Sequence, residues 1–488
     1  MKPYKLPLLW VIAIPLAWSY AARADDAAGP ATRPQPRYLR VVKMTLHPVA
    51  TTRPALQYKL LPDLTEQSPG NAVTLYLSAA KSGPDGKFAR EWMERAENYV
   101  GLASDKLPAN DAAEVLAQFA ARLRKAHVAA RRQQAIWDPP LREEGAGALL
   151  PYLNDMHGFA VLWAVQAKLQ IARADWPAAV GTLQDGFSLA HHLNYQAGLV
   201  QGLSSGHVAA LMLLTGVEDW VAQPDAPNLY WALSDLPQPF VDLHAIAQYE
   251  RAIPYFTFPV LLEARSGPVA PEKWTRFITA LPRVSMSGYA RDEGDTFESR
   301  ARAALLTARV APRARAYLLS TGMLREQVEA MPIDQVVGLY FLDEYRRSSE
   351  ETWKAWELPF WEGAEQLFRA QQELEPAKQG IDSPMLAFVP ALTRMRSHFA
   401  QVDREAALLR TIEALRDYAA RHEGQPPDTL DQIKNLPIPL DPVTGKAFGY
   451  ERSGQTAVLT APPPPGMVNY WTNDATRFEL SFTKPRNP

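Results

Sequence analysis

Apolar side chains recur at helical spacing from about residue 70 to about residue 423 of this 488-residue chain, and this pattern constrains the fold more than any other feature. Forty-two prolines interrupt it. Because proline is tolerated at a helix start but breaks a helix interior, the sequence predicts many helices of moderate length with defined corners. We therefore expect a mainly α fold.

The first 24 residues have the three parts of a secretory signal peptide. Lys2 and Lys5 form a basic head, residues 6–18 form an uncharged apolar run, and Ala22-Arg23-Ala24 matches a cleavage site. The apolar run is shorter than the ~20 residues that span a bilayer, so cleavage is favoured over a retained anchor. We predict an exported protein, periplasmic or secreted, with no later transmembrane segment.

Composition excludes several kinds of site. The chain has no cysteine, so neither a disulfide framework nor a thiolate metal site can form. Its formal net charge is −2, and the charged residues of the signal peptide are all basic, so the remaining chain is more acidic still. This balance does not favour a nucleic-acid partner, because phosphates require a basic face.

Changes in composition along the chain predict how it divides into segments. Residues 25–37 are rich in proline, alanine and polar groups and predict a flexible leader. Residues 38–400 predict a helical domain that begins with a small β element, formed by Tyr38 to Leu46 and by the alternating segment Ala55 to Leu61. Residues 401–488 predict a C-terminal module of a helix and a sheet.

The segment from Leu149 to Asn194 predicts an antiparallel helical hairpin. Apolar stripes on both sides of it flank the break at Ala174-Asp175-Trp176-Pro177. This hairpin resembles a tetratricopeptide unit, which often carries a Gly-Asp-aromatic run at the same turn. No second copy follows at a fixed period, and a solenoid needs about three or more units, so the body is tetratricopeptide-like in part only.

Three further segments of the body have distinct patterns. Residues 223–240 predict a short helix with an aromatic first turn that ends at Leu236-Pro237, and residues 331–361 predict a long amphipathic helix. Residues 283–300 are polar and predict a flexible loop.

The C-terminal module begins with a helix over residues 405–422 that Gly424 caps in the left-handed conformation. Thr429 and Gln432 match a capping box for a second, short helix. In the run PIPLDPVTGKAFGY, Asp441-Pro442 suits a turn and Gly445 suits a positive φ. The run lacks the upstream glycine and the downstream hydroxyl of a phosphate-binding loop.

Alternating residues then predict three strands. They lie at Phe448 to Tyr450, Thr456 to Thr460 and Thr476 to Thr483, and Ser453-Gly454 predicts the hairpin turn between the first two. With one apolar face, these strands predict a three-stranded antiparallel sheet that packs on the preceding helix.

The run ALRDYAARHEGQPPDTLDQI, followed by PIPLDPVTGKAFGY, resembles a C-terminal module of uncharacterised secreted proteins of planctomycete type. The segments PALQYKLLPDLTEQSPGNAVTLY and QPDAPNLYWALSDLP are similar to further blocks of the same group, so the resemblance covers most of the chain. The module also resembles, more loosely, the soluble domain of major pseudopilins, although the chain lacks their N-terminal methylation motif. Neither resemblance implies an activity or a functional residue.

No residue pattern predicts a catalytic, cofactor or metal site. His191-His192, His157 and His207 are the most plausible metal ligands, but adjacent helical histidines point about 100° apart and lack the spacing of the HExxH motif. The segment GLSSGH at 202–207 lacks the signature of a nucleophilic serine. Acidic pairs such as Asp343-Glu344 predict a salt-bridged helix surface.

Aromatic residues give the one hypothesis for a binding site. Trp176, Tyr230, Trp231, Trp353, Trp356 and Trp361 could line a ligand groove. Core packing is the more common role of such residues and is favoured over the groove. We therefore hold two functions open: a non-catalytic binding or scaffold protein that uses a helical surface to bind a protein or glycan of the cell envelope, and a polysaccharide-active hydrolase or lyase on a helical barrel.

Overall fold

The predicted helical body and small sheet are both present. The computed structural model describes residues 40–195, 198–287, 296–379, 382–463 and 475–484, and most of these residues are helical. The mainly α prediction is therefore confirmed. The predicted signal peptide at 1–24 and leader at 25–37 lie outside the described residues.

The helices, in chain order, are α1 (Val73–Ala80), α2 (Gly86–Val100), α3 (Ala109–Gln118), α4 (Ala120–Ala130), α5 (Leu141–Glu144), α6 (Tyr152–Ala172), α7 (Trp176–Leu193), α8 (Leu199–Leu211), α9 (Glu218–Val221), α10 (Tyr230–Ser234), α11 (Leu243–Thr257), α12 (Val260–Ser266), α13 (Pro271–Ser287), α14 (Phe297–Ser320), α15 (Arg325–Ala330), α16 (Ile333–Trp353), α17 (Phe360–Gln379) and α18 (Leu392–Arg421). A π-helical segment, Met212–Val217, joins α8 to α9. The strands are β1 (Arg40–Leu46), β2 (Ser68–Asn71), β3 (Arg132–Gln134), β4 (Gly449–Ser453), β5 (Thr456–Ala461) and β6 (Thr476–Phe482).

The chain divides into two compact units. The first unit comprises residues 1–137, 151–242 and 397–488, and the second comprises residues 138–150 and 243–396. The sequence predicted a boundary at residue 400 and a separate C-terminal module. In the structure, that module belongs to the same unit as the N-terminal strand and the helical hairpin.

Helices α6 and α7 form the predicted hairpin at the centre of the first unit. Ala174 adopts a φ of 56° at the turn, and the Asp175 side chain accepts a hydrogen bond from the amide of Ala178 at the start of α7. The apolar residues predicted to face each other, including Phe159, Leu183 and Phe187, are almost completely buried. The hairpin is thus a core element of this unit.

The C-terminal strands form the predicted antiparallel sheet, and the N-terminal strand extends it. The strand order is β1-β6-β5-β4, with β1 parallel to β6 and the other pairs antiparallel. Met44 pairs with Leu480 and Leu46 with Phe482, so their apolar side chains are buried on one face. The sheet therefore has four strands rather than the predicted three, because β1 pairs with the edge of β6 that β5 does not occupy.

Buried ion pairs of α18 fix these distant segments to one another. Arg404 donates two hydrogen bonds to Asp441, of 2.8 and 2.5 Å, and both side chains are almost fully buried. Arg416 pairs with Glu413 at 2.9 Å and also donates to the carbonyls of His47 and Ala226. Since a buried charge needs a partner, these contacts specify where the N-terminal strand and the C-terminal turn can lie.

The second unit has an apolar core formed by α12 to α16 and neighbouring segments. Trp274, Phe277 and Phe341 lie at its centre with little or no exposure. Helices α14 and α16 pack against each other in this unit, and the Thr307 hydroxyl of α14 donates to Asp334 at the start of α16. The predicted amphipathic helix at 331–361 is α16, which ends at Trp353.

Three local predictions were wrong. Residues 55–61 form turns and bends rather than a strand, and the buried side chain of Leu60 and the edge-to-face contact of Tyr58 with Trp220 replace strand pairing. The capping box is also absent, because Gln432 accepts from the amide of Asp428 rather than from Thr429. Residues 283–287 and 297–300 are helical, while the rest of the predicted loop, 288–295, lies outside the described residues.

The turn predictions around the C-terminal module are confirmed. Gly424 has a φ of 83° and donates to the carbonyl of Ala419, which closes α18. Gly445 has a φ of 66°, and its amide bonds back to the carbonyl of Asp441. Gly454 lies at the tight turn between β4 and β5 with a φ of 59°.

Among the residues that the structure describes, one helical stretch is long and apolar enough to cross a membrane. It runs from Leu199 to Val221, and 72% of its most apolar part is buried in the protein. The sequence analysis expected no such stretch after the signal peptide. Most of this stretch therefore packs against the rest of the first unit.

Candidate binding surface

Helices α1 and α4 of the first unit pack side by side in opposite directions. At one end, Arg122 and Lys125 of α4 bond to Ser82, which follows α1. At the other end, the amide of Ala72 donates to the carbonyl of Gln134 at 2.7 Å. Hydrogen bonds at both ends therefore hold the two helices together.

Small residues explain why the two helices lie close together. Ala79 of α1 and Ala126 of α4 are completely buried, and the larger Tyr76 and Leu123 fill the space beside them. Alanine favours a helix and lets a neighbouring backbone approach. Since Tyr76 and Ala79 of α1 and Leu123 and Ala126 of α4 face inward, the opposite sides of both helices face solvent.

The solvent-facing side of this pair is basic. It comprises Leu77, Lys81, Arg124, Lys125, Val128 and Arg132, which we call the basic face. The two chain segments that supply it, residues 67–84 and 115–137, contain six lysines and arginines and no aspartate or glutamate. In a chain of net negative charge, such a segregation concentrates positive potential at one place on the surface.

The cations of the basic face contact neutral oxygen atoms. Lys125 donates to the hydroxyl of Ser82 at 2.8 Å, and Arg132 donates to the carbonyl of Pro69 at 2.6 Å. Within the described ranges, neither Lys81 nor Arg124 makes an ion pair with a carboxylate. Their charges are therefore not neutralised by the protein and remain available to an anionic partner.

A buried carboxylate lies behind this face. Asp185 of α7 is 5% exposed and accepts hydrogen bonds from His127 Nδ1 at 2.7 Å and from Arg131 at 3.2 Å. The hydrogen bond with Asp185 raises the pKa of His127 above its ordinary value, and burial raises the pKa of Asp185. The contact holds the half-exposed imidazole in one orientation, with its Nε2 turned away from Asp185.

A second polar chain fixes α1 to α7. The Tyr76 hydroxyl lies 3.0 Å from His192 Nδ1, and His192 Nε2 lies 2.9 Å from the carbonyl of Arg132. Trp137 donates to the backbone carbonyl of His192 and lies parallel to the Tyr76 ring. Burial lowers the pKa of His192 to about 4, so this ring is neutral at ordinary pH.

The six aromatic residues predicted to line a groove occupy three kinds of position. Tyr230, Trp353 and Trp356 are buried, with Trp356 bonded to the carbonyl of Leu243. Trp176 and Trp231 are half-buried, and Trp361 is 46% exposed. The buried three are core residues in this structure, and a groove that uses the other three stays a prediction.

Of the histidines considered as metal ligands, His192 is buried, His157 and His207 are half-buried, and His191 is exposed. The rings of His157 and His207 lie 5.2 Å apart, and His398 adds a further imidazole near His207. Burial lowers the pKa of all three, that of His207 to about 3. Across the residues that the structure describes, no group of three or more histidine or acidic side chains is placed to hold a metal ion.

The carboxylates that the sequence assigned to a salt-bridged surface mostly lie there. Asp343 accepts from Arg347 at 3.1 Å, and Glu350 lies 3.9 Å from Arg346. Glu344 differs, because it accepts from the hydroxyls of Tyr340 and Ser383 and burial raises its pKa. Asp441, predicted to be a turn residue, forms the turn and also pairs with Arg404.

Sequence reasoning did not find the basic face. The signal was available in residues 115–137, which carry five arginines and lysines without one acidic residue. The sequence analysis did not single out this stretch. The assignment needed the pairing of α4 with α1, which the sequence did not predict.

Comparison with family models, with characterised proteins and with solved structures gave no match.

Proposed function

We propose that this chain is an exported, non-catalytic binding or scaffold protein of the cell envelope, and that the basic face is its binding surface. The observation that supports this proposal is a group of cations, the exposed Lys81, Arg124 and Lys125 and the half-buried Arg132, on or next to one helical pair and without a carboxylate partner among the described residues. Uncompensated surface cations favour an anionic partner and speed its encounter. They also contribute little to the stability of the fold.

A capture experiment on the envelope fraction tests the proposal. The mature chain carries Arg124→Glu and Lys125→Glu together, and the matched control carries Arg315→Glu and Lys434→Glu. Arg315 and Lys434 are exposed and lie in no ion pair of the described structure. Each double variant replaces two cations by two glutamates, so both change the net charge equally. We expect the wild type and the control to retain the same envelope component, and the face variant to lose it. Equal retention by both variants would remove the basic face from the proposal.

A polysaccharide-active enzyme is the second candidate, and one observation favours it. His127 is half-exposed, and its Nδ1 is bonded to the buried Asp185, which is the arrangement of a general base with a free Nε2. Arg124 lies three residues earlier on the same helix and could neutralise a sugar carboxylate. A glycan panel assayed with the wild type and with His127→Gln separates the candidates: turnover that disappears in the variant supports the enzyme.

A further inference from the structure

We infer that the basic face docks on the surface of an anionic lipid bilayer. This inference rests on the proposed function and names the partner of the same surface. Four cations supply the attraction, and each lysine or arginine near an anionic membrane surface contributes separately to binding. Two of them lie on α4 and the other two just beyond the C-terminal ends of α1 and α4, which gives a broad charged area rather than a single pocket.

Apolar side chains between the cations favour a bilayer over a soluble polyanion. Leu77 of α1 is 37% exposed and Val128 of α4 is 48% exposed. On α4, Arg124 and Val128 are spaced four residues apart and so lie along one side of the helix, and Arg132 follows shortly after the helix, at the start of β3. The boundary between headgroups and acyl chains accepts such apolar side chains while the cations contact phosphates.

The aromatic residues of these helices point to the same conclusion. Sugar-binding surfaces commonly present exposed aromatic rings, which give large contact area at low entropic cost. Tyr76, the one tyrosine, phenylalanine or tryptophan in α1, is completely buried, and α4 contains none. Within these two helices, the exposed apolar groups are therefore aliphatic.

The face is also held in a fixed shape. Arg122 donates to the carbonyls of Ser82 and Pro84, and Arg131 donates to Gln184 and Asp185 of α7. Tyr76 anchors α1 from within through His192. Because these contacts are made by the inner side chains, changes to Arg124 or Val128 leave them in place, and a change to Lys125 removes only its exposed hydrogen bond to the Ser82 hydroxyl while the bonds of Arg122 remain.

Vesicle co-sedimentation tests the inference. The mature chain is mixed with vesicles of phosphatidylcholine alone and with vesicles that also contain anionic phosphatidylglycerol. We expect binding to the anionic vesicles only, with weakening at high salt. Arg124→Glu with Lys125→Glu should weaken it by about a hundredfold or more, because two attractive charges become repulsive. The control Arg315→Glu with Lys434→Glu should bind like the wild type.

The double variant Leu77→Ser with Val128→Ser tests the contribution of apolar insertion into the bilayer separately from that of charge. These substitutions should weaken vesicle binding severalfold at every salt concentration, and circular dichroism should show the wild-type fold. Equal binding by the face variant and its control, or no binding to anionic vesicles, would overturn the inference. If a soluble polyuronate binds through the face while vesicles do not, the lipid assignment fails and the proposed function stands. If the envelope capture is also insensitive to the face variant, both fail.

Discussion

The two units of this protein have different kinds of core. In the first unit, eight charged side chains of the described residues are buried: Lys168, Asp185, Arg404, Glu405, Glu413, Arg416, Asp417 and Asp441. In the second unit, Arg396 is the one buried charged side chain among the described residues, and aromatic and aliphatic groups fill the core. Buried, paired charges therefore specify the arrangement of the first unit, whereas the close fit of apolar side chains specifies that of the second.

The difference follows from how each unit is assembled. The first unit joins three separate parts of the chain, and its sheet pairs residues 40–46 with residues 476–482. Apolar contacts alone tolerate shifts of packing, whereas a buried ion pair is stable only with its own partner. The second unit is mostly one continuous run, 243–396, whose neighbouring helices meet by short connections. It therefore needs fewer specific polar contacts to reach one arrangement.

Removing one partner of a buried pair should have the largest effect. Asp441→Ala leaves the buried guanidinium of Arg404 without the carboxylate that balances its charge, and we expect a loss of about 3–5 kcal/mol in the free energy of unfolding. Urea unfolding followed by circular dichroism measures it. The control is Asp428→Ala, which breaks the exposed pair with Arg452 at 2.8 Å and should cost about 1 kcal/mol or less. Equal losses in the two variants would show that the buried pair does not specify the first unit.

Acid should destabilise the first unit selectively. Burial lowers the pKa of His192 to about 4 and of His207 to about 3, so the folded state binds fewer protons than the unfolded state. Stability is then complete above the unfolded pKa of about 6.5 and falls as the pH drops below it. Lowering the pH from 7 to 5 should therefore reduce the free energy of unfolding by about 4 kcal/mol through these two residues together.

Hydrogen exchange at both pH values checks this selectivity. Amides of α7 and α8 should lose protection at pH 5, while those of α13 and α16 should keep it, because the second unit has one histidine, the exposed His244. His207→Gln should reduce the acid effect, and His244→Gln should not change it. Equal acid loss in both sets of helices would contradict the comparison.

The sequence predicted local structure better than long-range contacts. The turn at Asp175, the cap at Gly424 and the alternation at Phe478 and Leu480 depend on neighbouring residues, and the structure confirms each. The pairing of β1 with β6 joins residues more than 400 positions apart, and local periodicity carries no information about it. The segment at 55–61 shows the converse, because alternation without a partner strand does not make a strand.

The candidate surface was harder to predict than the fold for a similar reason. Asp185 is an ordinary acidic residue in the sequence of α7, and only its position behind His127 and Arg131 gives it a role. The aromatic hypothesis treated Tyr230 and Trp356 as exposed, whereas their polar atoms find backbone carbonyls inside the core. Burial is a property of the packed helices, and composition does not reveal it.

The smallest effect tests whether shape alone specifies the second unit. A β-carbon added at Gly338 of α16 would lie 2.4 Å from Cε3 of the rigid, buried Trp274 ring. Gly338→Ala should therefore cost about 1–3 kcal/mol through overpacking. The control is Gly181→Ala in α7, where the added β-carbon would meet no neighbouring group within 4 Å. There the higher helix propensity of alanine should raise the free energy of unfolding by up to about 1 kcal/mol. If Gly338→Ala is neutral in thermal unfolding, the core around Trp274 can adjust, and precise packing is not what distinguishes the second unit from the first.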